Sequence, residues 1–177
     1  MHTIHYISVE AEDKSEAFSN VQAMLLPSDE GYRIADWSDW HVVGGGRWSQ
    51  NPQNQYEDSD EDILSFELDP QGFIKVLDKV TEWRVENMRQ YLERIDISKF
   101  ITDVEEFASG TDMSEKRFDM NRYYVKQAAE MLDCGYNPDS HFFDGTEYTA
   151  DMVYLKERLN DPDKASKQFL VPVDFHY

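Results

Sequence analysis

Apolar side chains recur along this chain with two different periods, and the switches between them mark out its elements. Residues 3–9, Thr-Ile-His-Tyr-Ile-Ser-Val, are rich in β-branched and aromatic types and predict a strand. Ala17, Phe18, Val21, Met24 and Leu25 then recur at helical spacing, with Asp13 or Ser15 as cap and Pro27 just past the end. Trp40 to Val43 fits a short strand, and Leu64, Phe66 and Leu68 alternate with polar neighbours as another. Asp69-Pro70 is a helix entry, an N-cap followed by proline at the first helical position. From there Phe73, Val76, Leu77, Val80, Trp83, Tyr91 and Leu92 trace a stripe to about Arg94. Phe100, Ile101, Val104 and Phe107 predict a shorter helix ending near Gly110. Another opens at Ser114, Arg117 and Phe118, and buries Phe118, Val125, Ala128, Ala129 and Leu132. A last helix covers residues 151–159, with Met152, Leu155 and Leu159 inward.

The C-terminus carries the clearest strand pattern. Phe169, Val171, Val173, Phe175 and Tyr177 occupy every second position, and Gln168, Asp174 and His176 fall on the alternate face. Pro172 has no N–H to donate, which points to an edge or a bulge. Together these elements predict an α+β fold. Its small, mostly antiparallel sheet has three or four strands, both terminal strands among them, packed by four or five helices. Residues 1–177 form one domain, with sheet-forming parts at about 1–68 and 168–177 and a helical part at about 69–160.

Composition narrows the function. With 40% apolar and 14% aromatic residues the chain can bury a core, which argues against global disorder. Seventeen Lys and Arg against 36 Asp and Glu give a net charge of −19. That charge disfavours phosphate backbones and anionic membrane surfaces, so neither nucleic acid nor membrane is an expected direct partner. Cys134 is the only cysteine, which excludes an internal disulfide and a multi-cysteine zinc site. No apolar run is long enough for a membrane span, and the N-terminus lacks a signal-peptide pattern, so a cytoplasmic location is expected.

The most unusual stretch is residues 37–49, in which Trp37, Trp40 and Trp48 surround Gly44, Gly45, Gly46 and Arg47. Two readings stand side by side. Indole rings that stack on a base or sugar, glycines that let N–H groups approach an anion, and a bidentate Arg47 make a ligand pocket. The same tryptophans as a core plug, with Arg47 paired to a carboxylate, make a purely structural segment. The spacing matches neither a dinucleotide fingerprint nor a P-loop. Downstream, Glu57, Asp58, Asp60, Glu61 and Asp62 form the densest acidic patch. Nineteen charges match roughly 32 Å of duplex DNA, so a DNA-mimicking surface is physically possible; solubility explains the same acidity.

Other candidate chemistry is thin. His5, Asp174 and His176 lie on strands that pair as neighbours in one arrangement, giving a small metal or acid–base site, although no fixed ligand spacing supports it. Residues 139–145 read as a turn with two buried phenylalanines rather than a metal loop. No catalytic residue, metal or cofactor is assigned.

The pattern W-x-x-W-x-V-V-G-G-G-R-W-S, with the tail Phe169-Leu170-Val171-Pro172-Val173-Asp174-Phe175-His176, resembles small uncharacterised proteins of tailed bacteriophages. The resemblance covers about the first third of the chain and its last ten residues, and this chain carries one extra glycine. It implies a phage-encoded protein acting in a bacterial cytoplasm, and it implies no activity. Two functional expectations follow. The first is an acidic accessory protein that binds and inhibits a host protein with a basic surface, such as a defence or nucleic-acid-handling factor. Its contacts would be Trp37, Trp40, Arg47, Trp48, Glu57, Asp58, Asp60, Glu61 and Asp62. The second is a nucleotide or small-anion binder, an enzyme among its forms, built on residues 37–49.

Overall fold

The computed structural model describes residues 1–27, 33–114, 119–132 and 135–177. The two ends of the chain form its centre. β1 (His2–Glu10) runs antiparallel to β5 (Gln168–His176), from His2 opposite His176 to Glu10 opposite Gln168. β4 (Phe142–Asp144) pairs in parallel with the other side of β1, placing Tyr6 opposite Phe142. Two short strands lie end to end on the far side of β5. β2 (Trp40–Val43) pairs with its C-terminal half and β3 (Leu64–Ser65) with its N-terminal half.

The fold is therefore α+β, but the sheet is mixed and has five strands among the described residues, against the three or four expected. The added strand is β4, whose three residues are too few to display an alternating pattern. The strand predicted at 64–68 stops at Ser65, because Asp69 begins to turn back there, its N–H bonding to the Ser65 carbonyl. There are six helices among the described residues against four or five expected, the extra one being α6 (Pro162–Ala165), a single turn capped by Asp161.

Pro172 sits in the interior of a strand flanked on both sides, which its sequence alone argues against. Its carbonyl accepts from Gly44 and Gly45, so its backbone faces the β2–β3 side, at the gap between those strands. No ladder donor is missing there.

Both sheet faces are covered. α1 (Lys14–Leu25), capped by Asp13, lays Ala17, Val21 and Leu25 on Ile7, Val9, Val171, Val173 and Phe175. The opposite face takes the first half of α2 (Pro70–Arg94), with Phe73, Leu77 and Val80, and α5 (Val153–Leu159), with Leu155. The alternate positions of β5 are thus interior as well, and Gln168 and Asp174 are fully buried. Arg158 of α5 is buried there too, and its Nη2 donates to both carboxylate oxygens of Asp144, at 2.8 and 2.7 Å.

The second half of α2 runs on past the sheet. α4 (Met120–Glu130) packs on it through Tyr91, Tyr123 and Tyr124, and α3 (Ile97–Ala108) is tied to α4 by the Arg122–Asp103 ion pair. Here the expected burial is only partly realised: Ala128 is buried, but Ala129 and Leu132 are exposed. Arg117, Phe118 and Cys134 lie outside the described residues.

Candidate functional site

The glycine run follows directly from β2. Gly44, Gly45 and Gly46 all have positive φ, at 100°, 99° and 49°, a region side chains disfavour. Their close neighbours explain the sequence further. A Cβ on Gly44 would stand 1.8 Å from the Ser59 carbonyl oxygen, and one on Gly46 would stand 2.5 Å from the Asp174 Cβ. The turn does bring a backbone N–H onto an anion, but the anion is the chain's own, and the Gly44 and Gly45 N–H groups go to the Pro172 carbonyl. The Arg47 N–H donates to Asp174 Oδ2 at 3.1 Å, while His2 Nδ1 donates to Oδ1 at 2.9 Å.

The three tryptophans separate. Trp37 belongs to the α1-side core, its ring 5.2 Å from His5 and 5.1 Å from Phe175. Trp40 and Trp48 stay near the surface, 40% and 42% exposed. Trp40 stacks on His176 at 5.3 Å, and His2 meets its edge at 5.2 Å. His176 Nδ1 lies 3.3 Å from Asp39 Oδ2, outside hydrogen-bond alignment. The Arg47 side chain is exposed and makes no ion pair among the described residues.

Trp48 divides a cleft between α2 and the 44–62 loop. One lobe, about 210 Å³, is lined by Tyr6, Gln50, Asp62 and Val76. The other, about 290 Å³, is lined by His2, Trp83, Glu86 and His141, and Ile4 floors both. No lysine or arginine lines either lobe among the described residues. Burial, with the Asp62 carboxylate second, raises the Tyr6 pKa, so its hydroxyl stays protonated in the cleft.

The acidic patch divides by role. Asp58 accepts from the Val43 N–H at 2.8 Å and from Gln22 at 2.7 Å. Asp62 accepts from Ser49 Oγ and the Gln50 N–H, and Glu61 from Asn51 and Asn54. These three carboxylates hold the loop together through neutral donors, and none of them forms an ion pair among the described residues. Glu57 and Asp60 are exposed, and their carboxylates have no such partners among the described residues.

Residues 33–69 as a whole hold nine carboxylates against two arginines. In contrast, α2 alternates in sign, with five basic and four acidic residues. The stretch 33–69 thus carries a net −7 of the chain's −19, the remainder being spread over the other elements.

The histidine site expected from His5, Asp174 and His176 does not assemble. His5 pairs with Val173, so its ring points to the α1 side of the sheet, whereas Asp174 and His176 face the other way. The register instead brings His2 onto Asp174. The composition of residues 3–9 and the period-two pattern of 169–177 signal two strands, but not the offset that fixes this contact. No group of three His, Cys, Asp or Glu side chains able to hold a metal ion occurs among the described residues. Phe142 and Phe143 of the 139–145 segment are both buried, on opposite faces.

Burial, with His141 nearby as the second cause, holds the His5 pKa well below its usual value. The ring donates through Nε2 to the Pro138 carbonyl at 3.1 Å, leaving Nδ1 unpartnered among the rings of Trp37 and Tyr136. Burial likewise lowers His141, whose Nδ1 donates to the Ile4 carbonyl and whose Nε2 accepts from Asn87. A folded pKa below the unfolded one gives stability that is complete above about pH 6.5 and declines as pH falls below it. Each histidine is expected to cost up to about 1.4 kcal/mol per pH unit in that window. Urea denaturation between pH 7.5 and 5.5 checks this, and His5→Phe should flatten the slope by up to one proton. An unchanged slope in that variant would contradict the assignment.

No protein-family model, no curated protein and no solved structure matches this chain. No helix is long and apolar enough to cross a membrane among the described residues.

Proposed function

We propose that this chain is a non-catalytic binding protein of the phage accessory type, which docks and inhibits a host protein through a basic surface on that partner. The observation that carries the reading is the coincidence of charge and aromatic exposure. The stretch 33–69 holds nine carboxylates against two arginines, and the half-exposed Trp40 and Trp48 lie within it. Carboxylates steer a basic partner and set its orientation, while exposed indoles beside a cleft supply desolvated anchors. The reading takes the partner to be a bacterial cytoplasmic protein, as the resemblance to phage proteins implies, and a defence or nucleic-acid-handling factor would offer a basic surface of that kind.

Two observations weigh against the nucleotide or small-anion reading. The N–H groups of Gly44, Gly45 and Arg47 are already bonded to Pro172 and Asp174, and the cleft presents Asp62 and Glu86 without a lining cation among the described residues. A phosphate there would meet carboxylates.

The test begins with capture from bacterial lysate and identification of the bound protein. The association rate should fall with salt, and a Glu57→Gln/Asp60→Asn variant should slow it about two- to five-fold without disturbing the loop. Trp48→Ala should weaken affinity by about ten-fold. A partner whose binding ignores salt and all three changes, or capture of no protein, would overturn the proposal.

A further inference from the structure

The two lobes of the cleft beside Trp48 differ in the state of their carboxylates. In the larger lobe Glu86 is tied to Arg89 in an ion pair and accepts from Gln90. In the smaller lobe Asp62 gives Oδ2 to both Ser49 Oγ and the Gln50 N–H, so its Oδ1 has no partner among the described residues. Tyr6 lines the same lobe, close enough to Asp62 for the carboxylate to raise its pKa. Its hydroxyl makes no hydrogen bond among the described residues. Ile4, Leu64 and Val76 supply the apolar part of the wall, and the half-exposed Trp48 stands between this lobe and the other. Trp83 in the other lobe already has Lys79 at 4.7 Å from its ring centroid, whereas no cation lies over Trp48 among the described residues.

Four properties of this lobe converge on one kind of occupant. Its size, about 210 Å³, is below that of pockets for whole small ligands and suits a single side chain. Its charge is that of an unpaired carboxylate with no lining cation among the described residues, which suits a positive group and repels a phosphate or carboxylate. Its polar lining offers acceptor oxygens on Asp62, Tyr6 and Gln50, and a guanidinium is donor-only, with five N–H groups spread in one plane. Its indole gives a flat face on which that plane can stack, while Ile4, Leu64 and Val76 cover an aliphatic stem. A lysine ammonium, compact and strongly hydrated, uses the carboxylate but neither the stacking face nor the spread of acceptors. Trp48, Gln50 and Asp62 all belong to the acidic stretch 33–69, so a basic partner steered there arrives at this lobe.

Resting on the docking role described above, we propose that the Tyr6/Trp48/Asp62 lobe is a receptor for one arginine side chain of the basic partner. The guanidinium stacks on Trp48 and donates to Asp62 Oδ1 and the Tyr6 oxygen, and its stem lies on Ile4 and Val76. Diffuse charge on the loop then governs the rate of encounter, and this pocket governs which basic residue is held.

Nuclear magnetic resonance titration of the full chain with capped arginine (N-acetyl-arginine amide) tests this, with capped lysine and the uncharged isostere capped citrulline as controls. The expected result is saturable binding near about 1 mM, with shifts centred on the Trp48 indole N–H and the Gly45 and Gln50 amides. Citrulline should bind about ten-fold more weakly and lysine about three-fold. Tyr6→Phe should weaken arginine binding about three-fold, and Asp62→Asn about ten-fold while still offering an oxygen to Ser49 and Gln50. If Asp62→Asn disturbs the loop, Tyr6→Phe and the citrulline control still decide the matter. No saturable shift up to about 20 mM would overturn the pocket, since such binding is weaker than a single specific contact provides. So would equal binding of arginine and citrulline or of arginine and lysine, or shifts centred on Trp83. A captured protein whose affinity falls with salt but ignores Tyr6→Phe and Asp62→Asn would also overturn it, and would leave the acidic docking role standing. Arginine binding with no protein captured would do the reverse, keeping a guanidinium site but overturning the partner as its source.

Discussion

Replacing Arg158 with methionine is expected to lower the unfolding free energy by about 3–5 kcal/mol, seen as an early urea midpoint. Arg158 is 7% exposed, and its Nη2 bridges both oxygens of Asp144, which has no exposed surface. Its Nε donates to Gln168 Oε1 at 3.3 Å, and Gln168 in turn reaches Glu10. The Asp144 carboxylate keeps two weaker partners, the Thr146 and Glu147 N–H groups, at 3.1 and 3.4 Å. Those do not offset an interior charge whose cation has gone. The loss should therefore belong to the stranded carboxylate more than to the pair. Adding Asp144→Asn to Arg158→Met should restore part of the stability, because an amide is cheaper to bury unpaired than a carboxylate. A loss below about 1 kcal/mol in the single variant, or a double variant worse than the single, would refute this account.

That ion pair also marks the limit of what the sequence discloses. The C-terminal strand was legible from apolar side chains at every second position, and the N-terminal one from its crowding of β-branched and aromatic residues. The Asp69-Pro70 entry was legible because its chemistry is local: Asp69 Oδ1 accepts from the Gly72 N–H at 2.9 Å. What stayed hidden is set by partners far along the chain. Asp144 and Arg158 meet only because β4 lies parallel to β1, and three residues carry no period to reveal that. Trp37 and Trp40, three residues apart, part company because Trp37 packs on the α1-side core from the turn before β2, whereas Trp40 is the first residue of that strand and pairs with His176. The apolar stripe of α3 predicted a helix correctly, but amphipathicity alone does not say whether its apolar side is covered. Within the candidate site, nothing in the sequence separates the half-exposed Trp40 and Trp48 from Trp37 in the core. Trp83 and Glu86 join the cleft from α2, and His141 joins it because the chain entering β4 lies beside β1.

Gly44→Ala is expected to cost about 3–5 kcal/mol, far more than the same change at Gly110. Both glycines have positive φ, 100° and 82°, so both substitutions strain the backbone. A Cβ on Gly110 meets nothing within 4 Å, and there the strain alone should appear, about 1 kcal/mol. At Gly44 the new methyl would stand 1.8 Å from the Ser59 carbonyl oxygen, and that neighbour is backbone with little room to yield. Ser59 is held from the same side, since its N–H donates to the Val43 carbonyl at 2.9 Å and Asp58 grips the Val43 N–H. Pushing Ser59 away would thus release the whole clasp that fixes residues 57–62 against β2. Hydrogen exchange should accelerate at Val43 and Ser59 in Gly44→Ala while β1 and β5 remain protected. Equal stability losses at the two glycines would show that conformation alone, and not the collision with Ser59, dictates glycine at position 44.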